Sequence, residues 1–114
     1  MKSNVNAMKK ITLSNEPDFA PVEGYRAKMI HSDQMSIAHW SVDAGCELPE
    51  HSHPHEQITN IIEGEFILNL DGEPIHLSAG ESLVIPGNAV HSGTSVTACK
   101  IIDVWNPPRD DYRQ

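Results

Sequence analysis

The sequence predicts an all-β domain, an antiparallel sandwich or barrel with little helix. Short apolar or alternating runs follow one another along the chain, and clusters of Pro, Gly, Asp and Asn separate them roughly every eight to twelve residues. No apolar stripe at helical spacing lasts beyond a turn or two. The first expected strand is KKITL at 9–13, followed by YRAKMI at 25–30 and MSIAHWSV at 35–42. ITNII at 58–62 and FILNL at 66–70 come next, joined through Glu63, Gly64 and Glu65. Asp71-Gly72 predicts a tight hairpin turn, because glycine accepts the positive φ such turns need. Leu77, LVI at 83–85 and ACKIIDVW at 98–105 complete a set of about nine or ten strands. The Pro-rich stretches at 16–21 and 106–108 predict connections or tail, since Pro cannot donate into a sheet ladder.

With 114 residues the chain has the length of one domain and can bury enough apolar surface to fold without disulfides. We expect a single domain over 1–114, its core at about 22–105 and a tail at 106–114. No apolar run approaches the ~20 residues of a membrane helix, so no membrane partner is expected. The opening MKSNVNAMKK lacks the apolar stretch of a secretory signal, which predicts a cytoplasmic protein. The formal charge of −8 repels nucleic acid at long range and predicts no such partner. A small acidic substrate stays compatible, because one Arg beside a metal outweighs a distant, screened net charge. Cys46 and Cys99 form no CxxC pair and are read as buried free thiols.

The chemistry concentrates in GCELPEHSHPHEQITNIIEG, which begins at Gly45 and sets His51 and His53 two apart, with Gln57 four later. Alternate residues on a strand share a face, so the two imidazoles can converge on one ion. A straight strand would carry Gln57 roughly 13 Å past His53, so the chain must turn between them, and Pro54 supplies the break. GESLVIPGNAVH then offers His91 as a third imidazole at the end of a buried strand. Three neutral imidazoles and an amide oxygen suit a divalent transition metal (Ni, Zn, Fe, Co, Mn or Cu) better than Mg or Ca. With no charged ligand the ion keeps its full +2 and acts as a stronger Lewis acid.

Gly45, His51, His53, Gln57 and Gly64, followed by Gly80, Pro86 and His91, resemble the two sequence motifs of the cupin superfamily. The resemblance runs from about residue 35 to 113 and implies a single jelly-roll, double-stranded β-helix barrel with a metal on His51, His53, Gln57 and His91. Two departures stand out: Gln57 occupies a position where cupins more often have Glu, and Gly87-Asn88 shifts a glycine that usually sits two after the Pro, which is expected to touch only a turn. The tail DVWNPPRDDY at 103–112 resembles the D-V-F-S-P-P-R-x-D-[FY] tail of small cupins similar to the pectin-degradation protein KdgF, with Trp105 for the usual Phe. Members of that group open the ring of 4,5-unsaturated uronates to linear keto acids. The resemblance thus implies an enzyme in which Asp103 moves the proton, Trp105 forms an apolar wall and Arg109 clamps the substrate carboxylate in two-pronged fashion. The alternatives are an iron-dependent dioxygenase and a non-catalytic metabolite-binding module. Small cupins often pair through edge strands, so a homodimer is expected.

Other residues compete for these roles. His55 would share the metal-facing parity of a straight strand, but the turn at Pro54 makes a surface imidazole the simpler reading. Glu56 is one short of the ligand spacing. His31, His39 and His76 have no ligand-like spacing and read as solvated or structural. Asp103 alternates with Ile101 and Trp105 on a strand made for burial, so its carboxylate needs either a function or a partner such as Arg109 or Arg26. Arg109 could equally be a solvated tail residue, and Lys28 and Lys100 are further cations able to reach a pocket carboxylate.

Overall fold

The computed structural model describes residues 8–113, and residues 1–7 of the opening segment read for a signal lie outside them. The strands are β1 (Phe19–Val22), β2 (Tyr25–His31), β3 (Ser36–Val42), β4 (Glu47–His51), β5 (Glu56–Glu63), β6 (Glu65–Leu70), β7 (Glu73–Ser78), β8 (Ser82–Ile85), β9 (His91–Ser95) and β10 (Cys99–Asn106). They form a six-stranded sheet, β1-β2-β3-β10-β5-β8, and a four-stranded sheet, β4-β9-β6-β7. Strict alternation builds the interior: on β3, Ser36, Ala38, Trp40 and Val42 are buried while the residues between them are not. Phe66 and Leu68 of β6 and Leu77 of β7 meet Ile61 of β5 and Ile101 of β10 in one apolar core. The Asp71-Gly72 turn joins β6 to β7 with both residues at positive φ, 49° and 84°, the geometry that matches strand twist.

Three strand expectations change. Residues 9–13 are not a strand; the chain is irregular there and ends in a 3₁₀ turn at Leu13–Asn15. The sheet position beside β2 goes to Phe19–Val22, because Phe19 stacks on Tyr112 and Trp40 at 4.6 and 6.3 Å, whereas Ile11 is 38% exposed. Pro21 is tolerated in β1 because that strand is a sheet edge. The short, polar strands β4 (ELPEH) and β9 (HSGTS) carry too little apolar pattern to be read from sequence. His91 therefore opens β9 and does not close the LVI strand.

Candidate metal centre

His51 closes β4 and His91 opens β9, and the antiparallel register sets them directly opposite each other with ring centroids 4.2 Å apart. His53 lies past the end of β4, in the bend that carries the chain across to β5 of the other sheet. Strand parity therefore does not bring it in; the bend at Pro54 does, and its ring sits 5.7 and 5.0 Å from those of His51 and His91. One nitrogen from each of the three imidazoles lies within 4.8 Å of the others.

The hydrogen bonds fix which nitrogens these are. Nδ1 of His51, His53 and His91 faces the carbonyl oxygens of Pro49, His55 and Ala89 at 2.8, 3.2 and 2.9 Å. A carbonyl can only accept, so each Nδ1 carries the proton and each Nε2 presents a lone pair. His91 Nε2 is buried without a partner. His53 Nε2 faces Gln57 Oε1 at 3.1 Å, two lone pairs with no proton between them. A cation satisfies both, and the donor set of three imidazoles and an amide oxygen fits a divalent transition metal. Burial lowers the pKa of His91 and, with the charge of Arg109, takes His53 down to about 4, so both rings stay neutral as ligands must be. Glu56 is exposed, away from this cluster. His55 donates from Nε2 to the Pro108 carbonyl at 3.2 Å and so ties the tail to the ligand bend, leaving its Nδ1 buried and unpartnered.

Gln57 is buried at the start of β5, two residues before Thr59 on the same face. Its Oε1 accepts from Trp105 Nε1 at 2.7 Å and its Nε2 donates to Thr59 Oγ1 at 2.9 Å. Thr59 in turn stands directly opposite Asp103 in the β5–β10 ladder. Asp103 Oδ2 accepts from Trp40 Nε1 at 3.0 Å, while Oδ1 is buried with no well-aligned partner. Burial pushes the carboxyl up to about 6, against the easing effect of Thr59, Trp40 and Gln57. The ion pairs considered for Asp103 do not form. Arg26 pairs with Asp43 at 3.1 Å and Arg109 with Asp111 at 2.9 Å. Lys28 reaches Asp18 and Lys100 reaches Ser41, because strand parity turns both away from the interior.

Arg109 is not a solvated tail residue: it is 4% exposed, with its guanidinium 3.7 Å over the Tyr112 ring and 5.0 Å over Trp105. Its backbone N–H donates to Ser36 Oγ at 2.8 Å, which pins the tail to β3. Nε and Nη2 are both held by Asp111, so the side-on fork expected to clamp a substrate is already occupied. Trp105, expected as a plain apolar wall, does line the cavity, and its indole N–H is in addition committed to Gln57. The cavity holds His51, Gln57 and His91 on its wall together with Asp103, Arg109 and Tyr112, and has a volume of about 40 Å³. That is room for about three waters. Sequence reasoning missed Trp40, Thr59 and Asp111 as partners; inward alternation on β3 and β5 was the available signal for the first two. Cys46 and Cys99 are free thiols, the first only half-buried.

A family model described as a cupin domain matches residues 38–105. KdgF from Halomonas sp. has a similar structure, with TM-score 0.83 and 25% identity over 91% of this chain and 97% of that one. An RmlC-like cupin from Shewanella frigidimarina NCIMB 400 gives TM-score 0.81 and 28% identity over 88% and 91%. Among curated sequences, the HTH-type transcriptional regulator PuuR of Escherichia coli (strain K12) is 39% identical over 57 residues, 48% of this chain. The match spans only 31% of that regulator.

Proposed function

The chain belongs to the cupin family, and we propose that it is a metal-dependent enzyme that opens the ring of a 4,5-unsaturated uronate to a linear keto acid. The observation that carries this reading is a buried, half-satisfied carboxylate, Asp103, sharing one cavity with His51, Gln57 and His91. When bound at that cluster, a divalent ion supplies Lewis-acid stabilisation of charge on the substrate's carboxylate and a neighbouring oxygen. Asp103 takes the proton of the anomeric hydroxyl, the ring C–O bond breaks to leave an aldehyde, and the enolate released takes a proton back at the alkene carbon. A carboxyl with a pKa near 6 suits both halves of this exchange. No atom is gained or lost, so no co-substrate is needed. Arg109 adds positive charge at the cavity wall opposite a substrate carboxylate, and Trp105 bounds the ring. A sugar ring is larger than three waters, so in this reading the Tyr112 side chain swings aside as substrate enters while Arg109 keeps its place on the wall.

The test is to incubate metal-loaded protein with 4,5-unsaturated galacturonate and follow alkene absorbance, in air and in an anaerobic chamber. The expected result is the same acceleration in both. No acceleration over buffer with metal bound discards the substrate, and a requirement for O₂ transfers the protein to the dioxygenase reading. A second reading, a non-catalytic metabolite-sensing module, is favoured by the likeness to a segment of a transcriptional regulator. There, Asp103→Asn would leave ligand affinity intact with no turnover to lose.

The reading includes a homodimer. It is supported by a row of β-branched residues, Val84, Ile58, Val104, Ile37 and Ile30, that are register partners across five neighbouring strands on the outward parity of the six-stranded sheet. Val84 and Ile58 are 58% and 41% exposed. A sheet face of this kind, more than a strand edge, is the surface a second copy would cover.

A further inference from the structure

We infer that Trp105 and Thr59 are positioning residues that lock the polarity of the Gln57 side-chain amide, holding its oxygen toward the His53 imidazole and its nitrogen toward Asp103. This rests on the reading of Gln57 as a metal ligand. An amide is nearly symmetric in shape, so only its hydrogen-bond partners decide which end faces which way. At the oxygen end the Trp105 indole can only donate, and it does so to Oε1 at 2.7 Å. At the nitrogen end Thr59 Oγ1 accepts at 2.9 Å, and the Asp103 carboxylate, opposite Thr59 in the ladder, is acceptor-only when ionised. Turned over, the amide would set N–H against N–H at Trp105 and oxygen against oxygen at Asp103. It would then turn an N–H toward His53 Nε2, where a metal ligand must offer a lone pair.

Phe at 105 has no N–H to give, whereas the indole here holds an amide that carries no charge of its own to orient it. The negative charge then sits at Asp103, opposite Thr59 in the ladder and behind Gln57, and the four donors are left neutral. Metal affinity should depend on Trp105 through Gln57 and not through packing, since Trp105→Phe retains most of the ring that Tyr112 and Arg109 pack against.

The experiment strips the protein with a chelator and titrates it with Co²⁺, reading the visible absorption band and competition with a chelating dye. Wild-type protein is expected to take up one ion. Trp105→Phe and Thr59→Val should each weaken binding by about 10- to 100-fold, the usual effect of removing a partner behind a ligand, and Thr59→Ser should restore it. In a Gln57→Ala background Trp105→Phe should change affinity by less than about twofold, because the coupled partner is gone. The inference is overturned if Trp105→Phe leaves affinity unchanged, or weakens it as much without Gln57 as with it. Wild-type protein that binds Co²⁺ yet turns over no uronate defeats the proposed reaction alone; protein that binds no Co²⁺ overturns both.

Discussion

Two buried titratable side chains in the cavity region pull stability in opposite directions with pH. Asp103 has its folded pKa raised to about 6, so the folded protein holds a proton that the unfolded chain has released, and stability falls as pH rises from about 4 to 6. His53 has its folded pKa lowered to about 4, so the unfolded chain takes the proton first, and its contribution is lost as pH falls from about 6.5 to 4. In metal-free wild type the two largely offset. Asp103→Asn keeps an acceptor for Trp40 and removes the buried charge, at the cost of an NH2 group facing Thr59 and Gln57, so it should still stabilise the apo protein at pH 7, by on the order of 2 kcal/mol. Its urea midpoint should then fall on acidification to pH 4 more steeply than that of wild type; parallel curves would contradict the burial assigned to this carboxylate. Gln57→Glu should be the reverse case, setting a second carboxylate against Asp103 and lowering apo stability at neutral pH by about 1–3 kcal/mol in the same assay. The meeting of His51, His53 and His91 was legible from their spacing and from the break at Pro54, and the inward turn of Asp103 from alternation, because both patterns are written along the chain. Trp40 and Thr59 could be read as inward-facing but not as neighbours of Asp103, and Asp111 could not be read as the partner of Arg109, since those pairings depend on cross-strand register and on how the tail folds back.

Elements explain why the ligand cluster tolerates little change around its bends. The turn after β8 docks on the bend between His53 and Gln57: Asn88 N–H donates to the His53 carbonyl at 2.7 Å, and Ala89 supplies the carbonyl that orients His91. The displaced glycine at 87 is therefore more than a local turn feature. A Cβ there would lie 2.5 Å from the Pro54 carbonyl oxygen, a backbone atom that cannot move without carrying His53 with it. Gly87→Ala should cost about 1–3 kcal/mol in thermal unfolding and weaken Co²⁺ uptake as well. Loss of stability with unchanged metal affinity would show that the two bends are mechanically independent. The strands that carry dense apolar alternation could be read in advance; β4 and β9 could not, because ELPEH and HSGTS offer one large apolar side chain between them and are otherwise charged, polar or small residues, imidazoles and an edge Pro.

At the scale of the whole molecule, the all-β class was legible from the repeated short runs, but the division of the ten strands among the described residues between two sheets was not, because nothing local in Glu63-Gly64-Glu65 says that β5 and β6 belong to different sheets. That division would give a metal held at this cluster a mechanical role. His51 and His91 belong to the four-stranded sheet, Gln57 to the six-stranded sheet, and His53 to the bend crossing between them, so a bound ion ties the two sheets at one end of the sandwich. An ion that binds the folded chain alone stabilises it by mass action, about 2.7 kcal/mol at a free concentration 100 times its dissociation constant. For a domain of this size a loss of that magnitude corresponds to a fall in Tm of roughly 10 °C. Chelation should therefore lower the Tm of wild type by about that amount, and re-addition of Co²⁺ or Zn²⁺ should restore it. His91→Ala, which removes the orphaned Nε2, should melt at the same temperature with and without chelator. Ile58→Lys, on the outer face, should shift the oligomeric state in light scattering while keeping the full chelator response. If chelation moved the two variants alike, the stabilising ion would have to sit somewhere other than between these sheets.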